Sequence, residues 1–172
     1  MSDFTFHIRP AVLDDVDAIL QLIIALATYE KEPDAVVATP ELLRRNLFEA
    51  PYAHTLLAVS GTPDSPGKPV AIALYFFNYS TWTGKPGLFL EDLFVIPEFR
   101  GQGVGKALFG ELGLVAQEKD CGRMDWSVLK WNQPSIDFYE KTMGATAMSE
   151  WMGMRLEGEG IKNLNKFVVG KN

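Results

Sequence analysis

LFLEDLFVIPEFRGQGVGKALFGELGLVAQEK, residues 88–119, is the stretch that decides the fold. It opens as an apolar run holding two adjacent acids, Glu91 and Asp92, and stops at Pro97. It then passes through Arg100-Gly101-Gln102-Gly103-Val104-Gly105 into an amphipathic segment. The pattern predicts a strand, a glycine loop and a helix over 104–119. Such an arrangement aims several backbone N–H groups and a helix N-terminus at one anion. Glycine permits positive φ there and lets a phosphate come close to the main chain. The stretch therefore predicts a phosphorylated ligand.

Spacing narrows the kind of phosphate loop. A dinucleotide fingerprint needs a small residue three positions after its second glycine; counted from Gly101 and Gly103, that position is Lys106. A nucleoside-triphosphate loop needs a glycine five residues before Gly-Lys and a Ser or Thr after it. Around Gly105-Lys106 those places hold Arg100 and Ala107. What remains is Arg-x-x-Gly-x-Gly, from Arg100 through Gly103 to Gly105. As six residues this is either a plain glycine-rich strand-to-helix turn or an anion cradle. With its flanking strand and helix it resembles the pyrophosphate loop of the GNAT N-acetyltransferases, which bind acetyl-CoA.

Working outward, Phe4–Arg9 alternates as a strand ended by Pro10, and Asp14 is placed to cap a helix with apolar positions at Val16, Ile19, Leu20, Ile23 and Leu26. Thr39-Pro40 opens a second helix to about Phe48. Thr55–Val59 and Val70–Asn78 read as strands around the polar turn Gly61–Pro69, and Met124–Leu129 as a fifth strand. Gln133-Pro134-Ser135 starts a short helix through Lys141. Thr146–Val169 reads as two more strands around Glu157-Gly158-Glu159-Gly160.

The chain has 172 residues, 47% hydrophobic and 22% charged, as expected of one globular domain over 1–172. Net charge is −6, which disfavours nucleic acid. The single cysteine, Cys121, allows no internal disulfide and suits a reducing, cytoplasmic setting. The N-terminus lacks secretory signal features, and the longest apolar run, Ala18–Ala27, is too short to cross a bilayer, so no membrane is expected.

The order of elements is similar to the GNAT fold along nearly the whole chain. The segments "IRPA" at Ile8–Ala11, "LATYE" at Leu26–Glu30, "LEDLFV" at Leu90–Val95 and "WNQPSIDFYEKTMGA" at Trp131–Ala145 resemble the diamine and polyamine N-acetyltransferases of the spermidine/spermine type. The last twenty or so residues are more similar to relatives that acetylate thialysine or other side-chain amines. The resemblance implies an α/β (α+β) fold with a mixed sheet of about six to seven strands and about four helices. It also implies that the fourth and fifth strands are splayed apart. Pantetheine is then held by the backbone of Leu93, Phe94 and Val95, and pyrophosphate by Arg100, Gly101, Gln102, Gly103, Val104, Gly105 and Lys106. The backbone N–H near Val95 would polarise the thioester carbonyl.

Glu91 and Asp92 alternate faces in a regular strand, whereas a bulge brings both to one cavity. They form either a salt bridge with Lys85 or an arginine, or an ammonium site. The resemblance implies that both bind substrate and that Glu91 is the base, acting through water because an ammonium has no lone pair. Glu30 is either a third carboxylate at the cleft or a solvated helix end. Trp82 is either a cation–π wall for the amine or a half-buried loop aromatic. Asn132 and Ser135 either hydrogen-bond CoA or cap a helix. Tyr139 either packs in the core or, as the resemblance implies, is the general acid for the departing CoA thiolate. No metal is expected.

The activity implied is direct transfer of acetyl from acetyl-CoA to a small cationic diamine or polyamine. The alternatives are a lysine- or thialysine-like amino acid, with Arg155 or Lys162 meeting its α-carboxylate, and an acyl-CoA-binding module without turnover. The resemblance also implies a homodimer, and the apolar cluster of Trp151, Met152 and Met154 beside glycines points to Trp151–Leu156 as part of its interface.

Overall fold

A computed structural model describes residues 4–169. In chain order it contains β1 (Phe6–Pro10), α1 (Val16–Tyr29), α2 (Pro40–Arg44), β2 (His54–Thr62), β3 (Ser65–Ser80), β4 (Lys85–Val95), α3 (Val104–Glu118), β5 (Arg123–Trp126), α4 (Gln133–Asp137) and α5 (Glu159–Lys162). The chain divides into two compact units, one through Ser127 and one from Val128.

The first unit holds one mixed sheet in the order β1-β2-β3-β4-β5. The first four strands run antiparallel, and β5 lies parallel to β4, reached through α3. A helical crossover is what a parallel neighbour demands. Ile19 and Leu22 of α1 pack with Leu57, Val59, Ile72, Leu74 and Phe94 in one buried cluster. The alternate residues Leu56, Ala58, Ala71, Ala73, Leu88 and Leu90 face the other way, and Val104, Leu108 and Leu112 of α3 are buried with them. Each large side chain so buried stabilises by roughly 1.5–3 kcal/mol relative to exposure.

Helix α1 begins one residue later than the sequence implies. Asp15, rather than Asp14, engages the entry turn: its carboxylate accepts from the Val12 N–H at 2.7 Å and from both Arg9 terminal nitrogens at 2.6 and 2.9 Å. Thr39 does cap α2, its hydroxyl accepting from the Leu42 N–H at 3.3 Å.

Strand β4 is divided in two. Gly87 to Leu90 pairs with β3 on one side and with Arg123–Trp126 on the other. The β5 pairing stops at Leu90, so among the described residues Glu91–Val95 pairs with β3 alone. β5 itself ends at Trp126, earlier than the Leu129 that the sequence predicts, and its pairing ends with it. The β3 register also shifts there: Leu90 opposes Tyr75 and Asp92 opposes Leu74, which leaves Glu91 as the extra residue of a bulge. Neighbouring Leu74 and Tyr75 point to opposite faces. Leu88 and Leu90 therefore face α3, whereas Asp92 and Phe94 face α1.

The second unit contains α4, which continues over Phe138–Thr142 with wider π-type hydrogen bonding (Met143 N–H to Phe138 O, 3.1 Å), and α5. Among the described residues the sheet has five strands, not six or seven. The two strands expected between Thr146 and Val169 do not form. Gly158, at φ +47°, instead opens α5, its carbonyl accepting from the Lys162 N–H. A glycine-rich turn reads the same whether it joins two strands or starts a helix. No helix of the described residues is long and apolar enough to cross a membrane.

Candidate active site

The bulge brings the acids together. Asp92 is half-buried on the α1 face, and its carboxyl is pushed up to about 6, first by burial, then by the charges of Glu91 and Glu30. Glu30 follows the last residue of α1, and burial raises its carboxyl above the usual range. Its backbone N–H closes the helix onto Leu26 O at 2.9 Å. The next residue, Lys31, turns the chain at φ +69°, a left-handed position usually given to glycine. Glu91, at the extra position, is exposed. Among the described residues none of the three acids forms an ion pair. The candidate partner Lys85 is taken by Asp120, at 2.7 Å. Burial without a cation is costly for carboxylates, and an incoming ammonium relieves it.

Beyond Val95 a single turn, Pro97–Phe99, leads into the glycine loop. Gly101 and Gly103 take φ of +74° and +87°, and a Cβ added at either would meet no protein atom within 4 Å. Both glycines thus hold a left-handed backbone beside space left clear of protein. Gly103 is the N-cap of α3, and its carbonyl accepts from the Ala107 N–H at 2.9 Å. The first-turn N–H groups at Val104, Gly105 and Lys106 have no helical acceptor, as at every helix start. This cradle fits a pyrophosphate, with Leu93, Phe94 and Val95 on the unpaired edge of β4 fitting the chain that follows it.

Arg100 points elsewhere. Its Nε donates to the Val95 carbonyl at 2.9 Å, and its guanidinium carbon lies 4.8 Å from the Tyr29 ring centre and 5.5 Å from that of Phe94. Gln102 Nε2 donates to Glu98 O at 3.2 Å, which braces the loop. Sequence reasoning misses Tyr29. The only signal was its place beside Glu30 in "LATYE".

Trp82 does not join the carboxylates. It is 87% exposed in the turn between β3 and β4. Lys85 to Asp92 is seven residues of strand, so the turn lies roughly 20 Å from the acids.

In the second unit Asn132 is buried at the start of α4, and its side-chain oxygen accepts from the Ser135 N–H at 3.4 Å. That bond caps α4. Ser135 and Tyr139 lie one turn apart, both half-buried. The Tyr139 ring meets Phe138 edge-on at 5.5 Å, and its carbonyl accepts from the Ala145 N–H at 3.0 Å. Arg155 and Lys162 are exposed and pair with Glu157 and Glu159.

The pattern of the Acetyltransferase (GNAT) family matches residues 18–145. A thialysine N-epsilon-acetyltransferase of Sus scrofa is 41% identical over 166 residues, covering 91% of this chain and 95% of its own. A spermidine/spermine N(1)-acetyltransferase-like protein 1 of Homo sapiens is 37% identical over 154 residues, covering 88% of this chain and 22% of its own. Among solved structures, an integron cassette protein from the mobile metagenome of V. cholerae superposes with a TM-score of 0.75 at 26% identity, covering 94% of this chain and 98% of that one.

Proposed function

The chain belongs to the acetyltransferase (GNAT) family, and on that premise we propose that it acetylates the side-chain amine of a thialysine- or lysine-like amino acid by direct transfer in a ternary complex. The observation that carries the amine assignment is the carboxylate cluster, with Asp92 held up to about 6 beside Glu91 and Glu30 and, among the described residues, no ion pair to any of them. The full-length similarity to thialysine enzymes favours an amino acid. A diamine or polyamine is the second reading, favoured by the surplus of acids, since a second ammonium would also find a partner.

Acetyl-CoA supplies the activated acyl group. Gly101 to Lys106 hold its pyrophosphate, and the backbone of Leu93–Val95 aligns its pantetheine arm. Asp92 and Glu30 bind the ammonium. Glu91 takes the amine proton through water. A second reading gives that role to Asp92, whose carboxyl at about 6 lies near the pH at which a base works best. Tyr139 gives a proton to the leaving sulfur. The apolar C-terminal surface, with Trp151 68% and Met154 87% exposed, serves to join two copies of the chain into a homodimer.

CoA release measured with thialysine, lysine, spermidine, a short diamine and a monoamine tests this. Thialysine should give the highest kcat/KM, with the monoamine at least about tenfold lower. Equal values for monoamine and diamine would remove the carboxylate site. Whichever of Glu91→Gln and Asp92→Asn abolishes the acid limb of the pH profile identifies the base. Tyr139→Phe should lower kcat roughly 10²–10⁴-fold while acetyl-CoA still raises the melting temperature.

A further inference from the structure

Arg100 stands where three parts of the first unit meet. Its main chain belongs to the turn before the glycine loop, with its N–H donating to Pro97 O at 3.1 Å, and Gly101 follows at positive φ. Its Nε holds the carbonyl of Val95, the last residue of β4, on the half of the strand that β5 does not pair. Its guanidinium lies over the rings of Tyr29 and Phe94. Tyr29 immediately precedes Glu30, and Phe94 lies two residues beyond Asp92. One side chain thus touches the loop, the strand edge and both backbone segments that carry the amine-site acids. Among the described residues it forms no ion pair, so it leaves the three carboxylates without a protein cation.

We propose that Arg100 is a positioning residue that couples occupancy of the glycine loop to the geometry of the amine site. The inference rests on the functional reading above. An anion on the loop fixes the backbone at Gly101 and Gly103, and with it the Cα of Arg100. The planar guanidinium then holds Val95 O, Phe94 and Tyr29 in one arrangement, and Glu30 and Asp92 are set at the distance that suits an ammonium. Lysine cannot reproduce this, because a point charge on a flexible stem neither stacks on two rings nor fixes a carbonyl through Nε. By linkage the effect is reciprocal: the amine tightens the loop's hold on its anion as much as the anion tightens the amine.

The test is calorimetric titration of thialysine into the protein with and without saturating CoA, and of CoA with and without thialysine. In the wild type each ligand should tighten the other by the same factor, about fivefold or more. Arg100→Gln should bring that factor below about twofold while binary CoA affinity stays within about threefold of wild type. Tyr29→Leu, which keeps Arg100 and removes a ring beneath it, should lose the coupling as well and serves if Arg100→Gln folds poorly. Two results overturn the proposal alone: full coupling retained in both variants, or CoA affinity in Arg100→Gln falling more than about tenfold with the coupling factor intact, which would make Arg100 a direct phosphate ligand. A wild type that binds neither CoA nor thialysine overturns the functional reading and the inference with it.

Discussion

The two halves of β4 are built from the same kinds of residue and do opposite things. Leu88 and Leu90 sit between two hydrogen-bonded neighbours and are 0% and 2% exposed. Over the next five residues the strand has one neighbour, a carboxyl held up to about 6, and a carbonyl tied to a loop arginine. The doubly paired half is fixed by its surroundings and contributes stability. The singly paired half keeps an open edge and a disfavoured charge, both of which a ligand can satisfy. The proposed site begins where pairing ends.

The sharpest test of that contrast is Leu90→Ala. It should cost about 2–5 kcal/mol in chemical denaturation, as cavities in packed cores do. A change below about 1 kcal/mol would mean that the paired half is no more committed than the other.

Beyond the far end of β4, Gly103→Val should abolish the acetyl-CoA melting shift, which at a hundred times Kd corresponds to about 2.7 kcal/mol of apparent stability. Since no protein atom lies near a Cβ built there, what the valine strains is the backbone at φ +87° and what it blocks is the ligand. A shift equal to wild type would remove the loop from the site.

Two residues past Leu90 the sign reverses. Asp92→Asn should stabilise the free protein at pH 8 by about 1–2 kcal/mol, or roughly 3–6 °C. The folded state raises this carboxyl from 3.8 to about 6, so it holds its proton more tightly than the unfolded chain does. Wild-type stability from this group is therefore full below the unfolded value and lost as pH rises through about 6. The gap between mutant and wild type should close below about pH 4. Melting curves with a gap that widens toward acid would contradict the buried-carboxylate account.

At the start of the strand, Lys85→Ala breaks an exposed ion pair with Asp120 and should move the melting temperature by less than about 2 °C. A larger loss would show that the strand's edge, and not its packing, sets its stability.

Much of this was legible in the sequence. The loop from Arg100 to Gly105 announces itself because only glycine tolerates its backbone, and adjacent acids in an apolar strand make sense only with a bulge. What was not legible has local causes. The end of α1 carries no glycine, since Lys31 takes the left-handed turn itself. Trp82 and the acids lie ten residues apart in the chain, and extended strand turns that interval into a long distance. The aim of Arg100 depends on two rings and a carbonyl from separate segments, which no periodicity encodes. The segment after Thr146 mixes glycines with large apolar residues, a composition that fits a strand and an exposed coil alike.

Glu91 also acts as a phase shift in the strand. Leu88, Leu90, Asp92 and Phe94 are spaced by two and, read as text, form one stripe. The extra residue divides that stripe between two faces. A regular strand of this sequence would drive Asp92 and Phe94 toward α3 and empty the α1 cluster of its aromatic. Deleting Glu91 would leave both faces correctly filled and remove one acid. Inserting a single residue elsewhere between Leu88 and Phe94 would scramble them. Anyone transplanting the proposed amine site to another sheet must therefore move the irregularity together with the acids, because the irregularity gives Asp92 its address.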